Sequence, residues 1–239
     1  MAASGASSQL TALDATANNL ANATTPGYKT EQAVFREHLI AAALVGSSER
    51  EMRYNGVAEV ASDMRQGPLK VTNNPLDVSI EGDGFFAVQT PRGERYTRAG
   101  AFQLGPAGTL VTTDGYAVLD AAGSPIQVPL EGGQLAIGED GILRMDGEDA
   151  GQLKVVTFGD LRGLEKEGEQ LFRTTTRAGV PEPASPRLHG GTLEMPNVSI
   201  VKGMTDLVSA TRAFEALQRA VEAFSQLEHR AANDITGAR

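Results

Sequence analysis

The chain has 239 residues, of which 41% are hydrophobic, so we expect one or two domains with a real hydrophobic core. Its formal net charge of −9 argues against binding to nucleic acid or to an anionic membrane, because both select basic surfaces. The chain has no cysteine, which excludes disulfides and thiolate metal sites, and we expect neither a membrane span nor a cleavable secretion signal.

The N-terminal segment, residues 1–40, carries a heptad pattern of small and apolar residues. Six of them alternate in spacing between three and four positions and share one side of a helix: Ala3, Ala6, Leu10, Leu13, Ala17 and Leu20. The pattern ends at Thr24-Thr25-Pro26-Gly27, which is a helix stop. So narrow an apolar seam is marginal on its own, and we expect this helix to need a partner.

The middle of the chain is predicted to be an antiparallel β domain over residues 68–195, preceded by a connector of mixed character over 41–67. Short apolar runs alternate with Asp-Gly and other glycine-rich turns, and no helical period interrupts them. The predicted strands are residues 76–80, 85–90, 94–104, 109–113, 116–120, 125–128, 134–137, 142–145, 153–158, 171–175 and 192–195. Residues 177–186 contain three prolines and are predicted to be an extended loop.

The C-terminal segment, residues 196–239, carries a longer heptad pattern. Its seam runs through Ile200, Gly203, Leu207, Ala210, Phe214, Leu217, Val221, Phe224, Glu228, Ala231 and Ile235, and Glu228 interrupts it. The pattern predicts that the two terminal helices pair as a coiled coil. One alternative stays open, because over short runs a period of 3.5 is hard to distinguish from 3.6: the helix is amphipathic and lies on the middle domain.

The resulting fold class is mixed and mainly β, with a β domain between two terminal heptad helices. We expect the seams to become fully ordered when the helices stack against copies of the chain or its relatives. The predicted interface residues are Leu10, Leu13, Ala17, Leu20, Leu207, Ala210, Phe214, Leu217, Val221 and Phe224. Residues 200–239 hold five basic and five acidic residues, so like copies would not repel one another there.

No catalytic constellation is found in the sequence. The three histidines, His38, His189 and His229, have no second ligand at metal-binding spacing. The acidic residues between 139 and 149 do not follow the spacing of a calcium loop and are better interpreted as two solvated turns. We therefore predict that the chain is not an enzyme and takes no cofactor, metal or small-molecule substrate.

Several blocks of residues resemble the bacterial flagellar basal-body rod and hook proteins. The most specific is the N-terminal motif formed by Asn18, Asn19, Leu20, Ala21, Asn22, Thr25, Gly27, Tyr28 and Lys29. Further similar blocks are residues 74–88, 96–102 and 193–199, so that the resemblance covers nearly the whole chain. Residues 41–67 are compact and lack the insertion that distal rod proteins usually carry, which makes the chain most similar to the proximal rod proteins.

The resemblance implies a structural subunit that polymerises helically into the hollow drive shaft crossing the periplasm. It implies that the terminal helices form the inner tube and the β domain the outer layer. The implied partners are copies of the chain, other rod proteins and the flagellar type III export apparatus, which reads no cleavable signal. Two alternatives remain: a distal rod subunit, or an unrelated β-domain binding module or enzyme with a coiled-coil oligomerisation element.

Overall fold

The computed structural model describes residues 2–41, 51–129, 133 and 135–236. The chain divides into two compact units. The first, called here the helical unit, contains the described residues of 1–21, 31–61 and 199–239. The second, the β unit, contains the described residues of 22–30 and 62–198.

The helical unit contains both predicted terminal helices. They are α1 (Ala2–Ala21) and α2 (Ile200–Thr236). A two-stranded sheet is formed by β1 (Glu31–Ala41) and β2 (Glu51–Ser62). The two helices contact each other, and α1 also contacts β1. A Cβ placed on Gly203 would lie 3.9 Å from Cδ1 of Leu20, so the two predicted seams meet at this point. In the described part of the chain, no helix is long and apolar enough to cross a membrane.

The strands β1 and β2 are absent from the sequence-based prediction. In β1 the apolar residues come in two triplets, Ala33-Val34-Phe35 and Leu39-Ile40-Ala41, with three polar residues between them. A strand with one buried face shows alternation with a period of two, and β1 does not. Residues 42–50, between the two strands, lie outside the described residues.

The β unit is built of short strands, as predicted. They are β3 (Leu69–Val71), β4 (Val78–Glu81), β5 (Phe85–Thr90), β6 (Gly93–Thr97), β7 (Phe102–Leu104), β8 (Leu110–Thr112), β9 (Ala117–Val118), β10 (Leu135–Ile137), β11 (Ile142–Met145), β12 (Glu148–Gln152), β13 (Val155–Thr157), β14 (Leu164–Glu167), β15 (Leu171–Thr174), β16 (Glu182–Pro183), β17 (Arg187–Gly190) and β18 (Thr192–Glu194). A 3₁₀ turn precedes β14. The mainly β class with two helices is therefore confirmed.

The sheets of the β unit are antiparallel in every pairing whose register is described. The largest has the order β14-β15-β6-β5-β9-β8-β7, and β13 pairs with both β5 and β16. Smaller sheets are formed by β10-β11-β12, by β17 with β4 and by β18 with β3.

The predicted strands differ from the observed ones at several places. The single strand predicted over 94–104 is broken into β6 and β7, because the chain between them approaches β4: the amide of Val78 donates to the carbonyl of Gly100 at 3.0 Å. Residues 125–128 form only isolated bridges through Pro125 and Gln127. The strands β3, β12, β14, β16 and β17 are missing from the prediction, and β16 lies in the segment predicted to be a loop.

Strand β5 organises the core because both of its faces are buried. Alternate side chains point to opposite faces of a sheet, and Phe86 and Val88 enter one apolar cluster while Phe85 and Ala87 enter another. The second cluster is lined by aromatic rings, with Phe85 and Phe172 packed edge to face at 5.8 Å between centroids. A strand that is buried on both faces has consecutive apolar residues in its sequence. This pattern explains why the sequence predicts β5 with the bounds that the structure shows.

Candidate functional site: a buried motif cluster and two helix seams

The second half of the N-terminal motif, residues 22–29, is a tight turn that lies against β18. Within the turn the amide of Thr25 donates to the carbonyl of Asn22 at 3.1 Å, and the amide of Tyr28 donates to the carbonyl of Thr25 at 3.2 Å. Gly27 has a φ of +72°, and a Cβ there would lie 2.3 Å from the backbone nitrogen of Ala99. Only glycine satisfies both the backbone angle and the close approach.

Lys29 is the deepest residue of the motif, and Glu194 is its partner. Both side chains are almost fully buried, at 0% and 1% exposure, and the Lys29 Nζ donates to Glu194 Oε1 at 2.6 Å. The same ammonium donates to the carbonyl of Arg65 at 2.8 Å, and Glu194 Oε1 also accepts the amide of Gly67 at 2.9 Å. Burial lowers the pKa of Lys29, and the carboxylate of Glu194 opposes that shift.

A second cation, Arg98, shares the carboxylate of Glu194. Its Nη1 lies 3.5 Å from Glu194 Oε2, its guanidinium carbon lies 5.0 Å from the ring centroid of Phe85, and burial lowers its pKa. Among the described residues, the Arg98 Nε is the one buried side-chain nitrogen or oxygen without a hydrogen-bond partner. The cluster thus holds two buried cations against one buried carboxylate, and Glu194 is the group on which its stability depends. We call Lys29, Arg98 and Glu194 the motif cluster.

Asn197 ties three segments of the β unit together with one side chain. Its Oδ1 accepts from both the amide and the hydroxyl of Thr30, at 2.8 and 2.7 Å. Its Nδ2 donates to the carbonyls of Asp63 and Arg65, at 2.8 and 3.0 Å. Residues 30, 62 and 198 are three of the four residues of the β unit at which the chain passes from one unit to the other. Asn197 therefore holds together, within the β unit, three of the segments that lead out of it.

Another motif residue, Asn19, belongs to the helical unit. It is buried near the end of α1, and its amide pairs with the backbone of Glu31 at the start of β1, with both distances at 2.8 Å. The side chain of an asparagine offers a donor and an acceptor, which here pair with the carbonyl and the amide of Glu31. No apolar side chain can make these two hydrogen bonds. Asn19 therefore fixes where the chain turns back into β1.

The N-terminal seam is only partly covered in the structure. Leu13 and Leu20 are half-buried, whereas Leu10 is 46% exposed and Ala17 is exposed. Among the α1 residues whose burial the structure describes, 9–21, the most deeply buried is Ala15, which lies off the predicted seam.

The C-terminal seam is better covered, with Ala210 buried and both Leu207 and Phe214 half-buried. Three further predicted interface residues lie in α2 but outside the residues whose side chains the structure describes: Leu217, Val221 and Phe224.

The arrangement is structural rather than chemical. Among the described residues, no group of three or more histidine, aspartate or glutamate side chains is placed to hold a metal ion. The motif residues make turns, buried ion pairs and backbone hydrogen bonds, which hold distant segments of the chain in register.

Comparison with known proteins identifies the protein family to which the motif belongs. The chain is 35% identical to the flagellar basal-body rod protein FlgF of Caulobacter vibrioides, over 92% of this chain and 89% of that protein. The chain belongs to the flagellar basal-body rod protein family. It is a structural protein of that family and not an enzyme.

Two further rod proteins and three family models agree with this membership. The FlgF of Salmonella typhimurium is 35% identical over 96% of this chain and 94% of its own length. The FlgG of Bacillus subtilis is 34% identical over 89% of each. Residues 1–29 match the model for flagella basal body rod proteins, residues 79–145 that for the D1 domain of flagellar hook protein FlgE/F/G, and residues 189–234 that for the C-terminal part of flagellar basal body rod FlgEFG proteins.

The inner partners of the rod-family motif are absent from the sequence-based prediction. Lys29 is among the motif residues, but Glu194, Arg98 and Asn197 are not assigned any role there. The signal was present, because all three fall in blocks that resemble the family. Nothing in a linear sequence, however, says that residues 29, 98 and 194 meet.

Proposed function

We propose that this rod-family chain is a subunit of the proximal rod. It polymerises helically, with copies of itself and with other rod proteins, into the hollow shaft that transmits torque across the periplasm. The observation that carries the proposal is its agreement with rod proteins over most of its length. Such a subunit needs stiffness and a repeating interface, and a heterologous interface that does not close builds a helical filament.

The lengths of the alignments support the proximal position. The alignment with Caulobacter vibrioides FlgF is 219 positions long and covers 92% of this chain, or about 220 of its 239 residues. The two lengths agree, so this chain needs almost no gaps to align with that protein. The alignment with Bacillus subtilis FlgG runs over 236 positions, while the 89% of this chain in it is about 213 residues. The FlgG relative therefore carries an insertion that this chain lacks. Salmonella typhimurium FlgF is intermediate, with 244 positions against about 229 residues, or 96% of this chain.

A distal position is the second candidate. It is favoured by the 34% identity to Bacillus subtilis FlgG, which nearly equals the identity to the two FlgF relatives. The shorter alignment with Caulobacter vibrioides FlgF favours the proximal position over it.

The assembly surface lies on the terminal helices. The contact between α1 and α2 supports a coiled-coil pair, and the exposed Leu10 and Ala17 leave part of the predicted seam available to other subunits. Residues 1–40 and 196–239 then form two parts of the inner-tube domain, residues 41–67 the connector and residues 68–195 the outer domain. The chain reaches the rod through the flagellar type III export apparatus.

The order of assembly tests this proposal. Basal bodies, which lack a hook in this case, are purified from a strain without its distal rod protein, and this chain is measured in them by quantitative mass spectrometry. A proximal subunit is retained at the amount found in cells with the complete flagellum. A distal subunit, or a protein that is not part of the rod, is absent from these particles.

A further inference from the structure

The peptide group between Thr30 and Glu31 is one of the places where the chain passes from the β unit into the helical unit. Its oxygen, the carbonyl of Thr30, accepts from the amide of Asp63 at 2.7 Å, inside the β unit. Its nitrogen, the amide of Glu31, donates to Oδ1 of Asn19 at 2.8 Å, inside the helical unit. Because a peptide group is planar, no rotatable bond lies between these two hydrogen-bonded atoms.

On the β-unit side, Asn197 holds both residues that carry this hydrogen bond. It accepts from the amide and the hydroxyl of Thr30, at 2.8 and 2.7 Å, and it donates to the carbonyl of Asp63 at 2.8 Å. Thr30 and Asp63 are therefore bonded both to each other and to the same side chain. The backbone of Thr30 cannot turn without breaking at least one of these hydrogen bonds.

On the helical-unit side, Asn19 holds the next residue. Its Nδ2 donates to the carbonyl of Glu31 at 2.8 Å, while its Oδ1 accepts the amide of the same residue. Two hydrogen bonds to one residue fix the orientation of that residue, whereas a single bond leaves a pivot. Asn19 is only 8% exposed, so little water reaches these bonds to compete for them.

The residues around this peptide group differ from those of an ordinary linker. Chain segments that pass between two compact units are usually exposed and rich in glycine, proline and polar residues, and relative motion of the units is the normal expectation. Here residues 28–32 are Tyr-Lys-Thr-Glu-Gln, without glycine or proline. The residue before Thr30 is Lys29, which is fully buried in its ion pair with Glu194. The passage therefore starts from an anchored residue.

We propose that the peptide group between Thr30 and Glu31 is a rigid joint, and that Asn19 and Asn197 are the positioning residues that hold it from its two sides. The joint fixes the direction in which β1 leaves the β unit. In a subunit that carries torque, a joint of this kind passes load along the chain without bending, and this consequence rests on the proposed function. The rigidity itself is a property of the folded chain.

A distance distribution measured across the joint tests its rigidity. The chain has no cysteine, so Val34→Cys in β1 and Lys70→Cys in β3, both at exposed positions, take two spin labels without competing sites. Double electron–electron resonance on the purified chain then gives the width of the distribution. We expect Asn19→Ala and Asn197→Ala each to broaden it at least 1.5-fold. The double variant should broaden it little further, because a joint released on one side is already free.

Gln66→Ala is the matched control. The side chain of Gln66 also joins two backbone groups of the β unit: its Nε2 donates to the carbonyl of Ile80 at 2.6 Å, and its Oε1 accepts the amide of Gly82 at 3.2 Å. Neither group lies where the chain leaves the unit. This variant should lose stability in urea unfolding but keep the wild-type width, which separates positioning from a general loss of stability.

The outcomes are distinct from those that test the rod function. A broadening below 1.5-fold in both asparagine variants overturns the joint, as does an equal broadening with Gln66→Ala. If Asn197→Ala loses its sheet signal in circular dichroism, Asn19→Ala decides alone, because its hydrogen bonds lie outside the β unit. The measurement uses the purified chain, so the joint can fail while the rod function stands, and the rod function can fail while the joint stands.

Discussion

Replacing Glu194 by glutamine keeps the size of the side chain and removes the only buried carboxylate of the motif cluster among the described residues. Lys29 and Arg98 then remain as two buried cations without an ion-pair partner among the described residues, and only the weaker attraction of Asp63 on Lys29 and of Asp83 on Arg98 is left. Removing one partner of a buried ion pair costs about 3–5 kcal/mol, because the other charge stays buried and uncompensated. We expect a loss of that size in the free energy of unfolding.

The opposite substitution, Lys29→Met, should cost less. It removes the lysine but leaves one cation, Arg98, with Glu194, whose Oε1 keeps the amide of Gly67. The loss is then mainly that of hydrogen bonds, about 1–2 kcal/mol. In an isolated ion pair, removing either partner leaves one uncompensated charge, so the two losses should be similar. Here the losses should differ, because two cations share one carboxylate.

Urea unfolding of the purified variants at pH 7, followed by circular dichroism, measures both losses. The control is Glu165→Gln, which breaks the exposed ion pair with Arg173 and should change the free energy of unfolding by less than about 1 kcal/mol. A larger loss with Lys29→Met than with Glu194→Gln would contradict the shared carboxylate, as would a loss with Glu194→Gln no greater than that of the exposed control.

Three further predictions concern single residues. Gly27→Ala should destabilise the chain by about 2–4 kcal/mol, because the residue has a positive φ and its new Cβ would clash with backbone. The control Gly115→Ala has a φ of +85° but no atom within 4 Å of its Cβ, and it should cost about 1 kcal/mol. Equal losses in urea unfolding would contradict the clash. Asn197→Ala should cost about 2–4 kcal/mol through its lost hydrogen bonds, and a loss under about 1 kcal/mol would show that they are dispensable. Burial raises the pKa of Tyr96 to about 12 from 10.0, so its contribution is fully present below pH 10 and is lost between pH 10 and 12. The free energy of unfolding should therefore fall more steeply over that range in wild type than in Tyr96→Phe, and parallel curves would rule this out.

The features that the sequence predicts best are those encoded locally. The heptad patterns give α1 and α2, and the apolar run of residues 85–88 gives β5. Strands such as β16 and β17 were missed because pairing with distant strands, and not their own residues, holds them in place. β-propensity depends on such tertiary context far more than a long helical period does.

The candidate site also combines residues that the local sequence predicts with partners that only the fold brings to them. The family motif points to Gly27 and Lys29, but their partners are 36 to 167 residues away in the sequence. A buried lysine is costly unless it is paired, so the presence of Lys29 in a buried turn calls for a carboxylate. The chain has 30 acidic residues, and the packing of β18 against the motif turn selects Glu194 as the carboxylate. In that packing the amide of Gly27 donates to the carbonyl of Glu194 at 2.8 Å.

The central claim is that this chain is a structural part of the flagellar rod. The most direct measurement deletes its gene in the source bacterium and counts flagella and rods by electron microscopy, with the wild-type gene restored as the control. We predict cells with no complete rod or hook, and recovery of both on complementation. A deletion strain with the normal number of flagella that swims at normal speed would contradict the account.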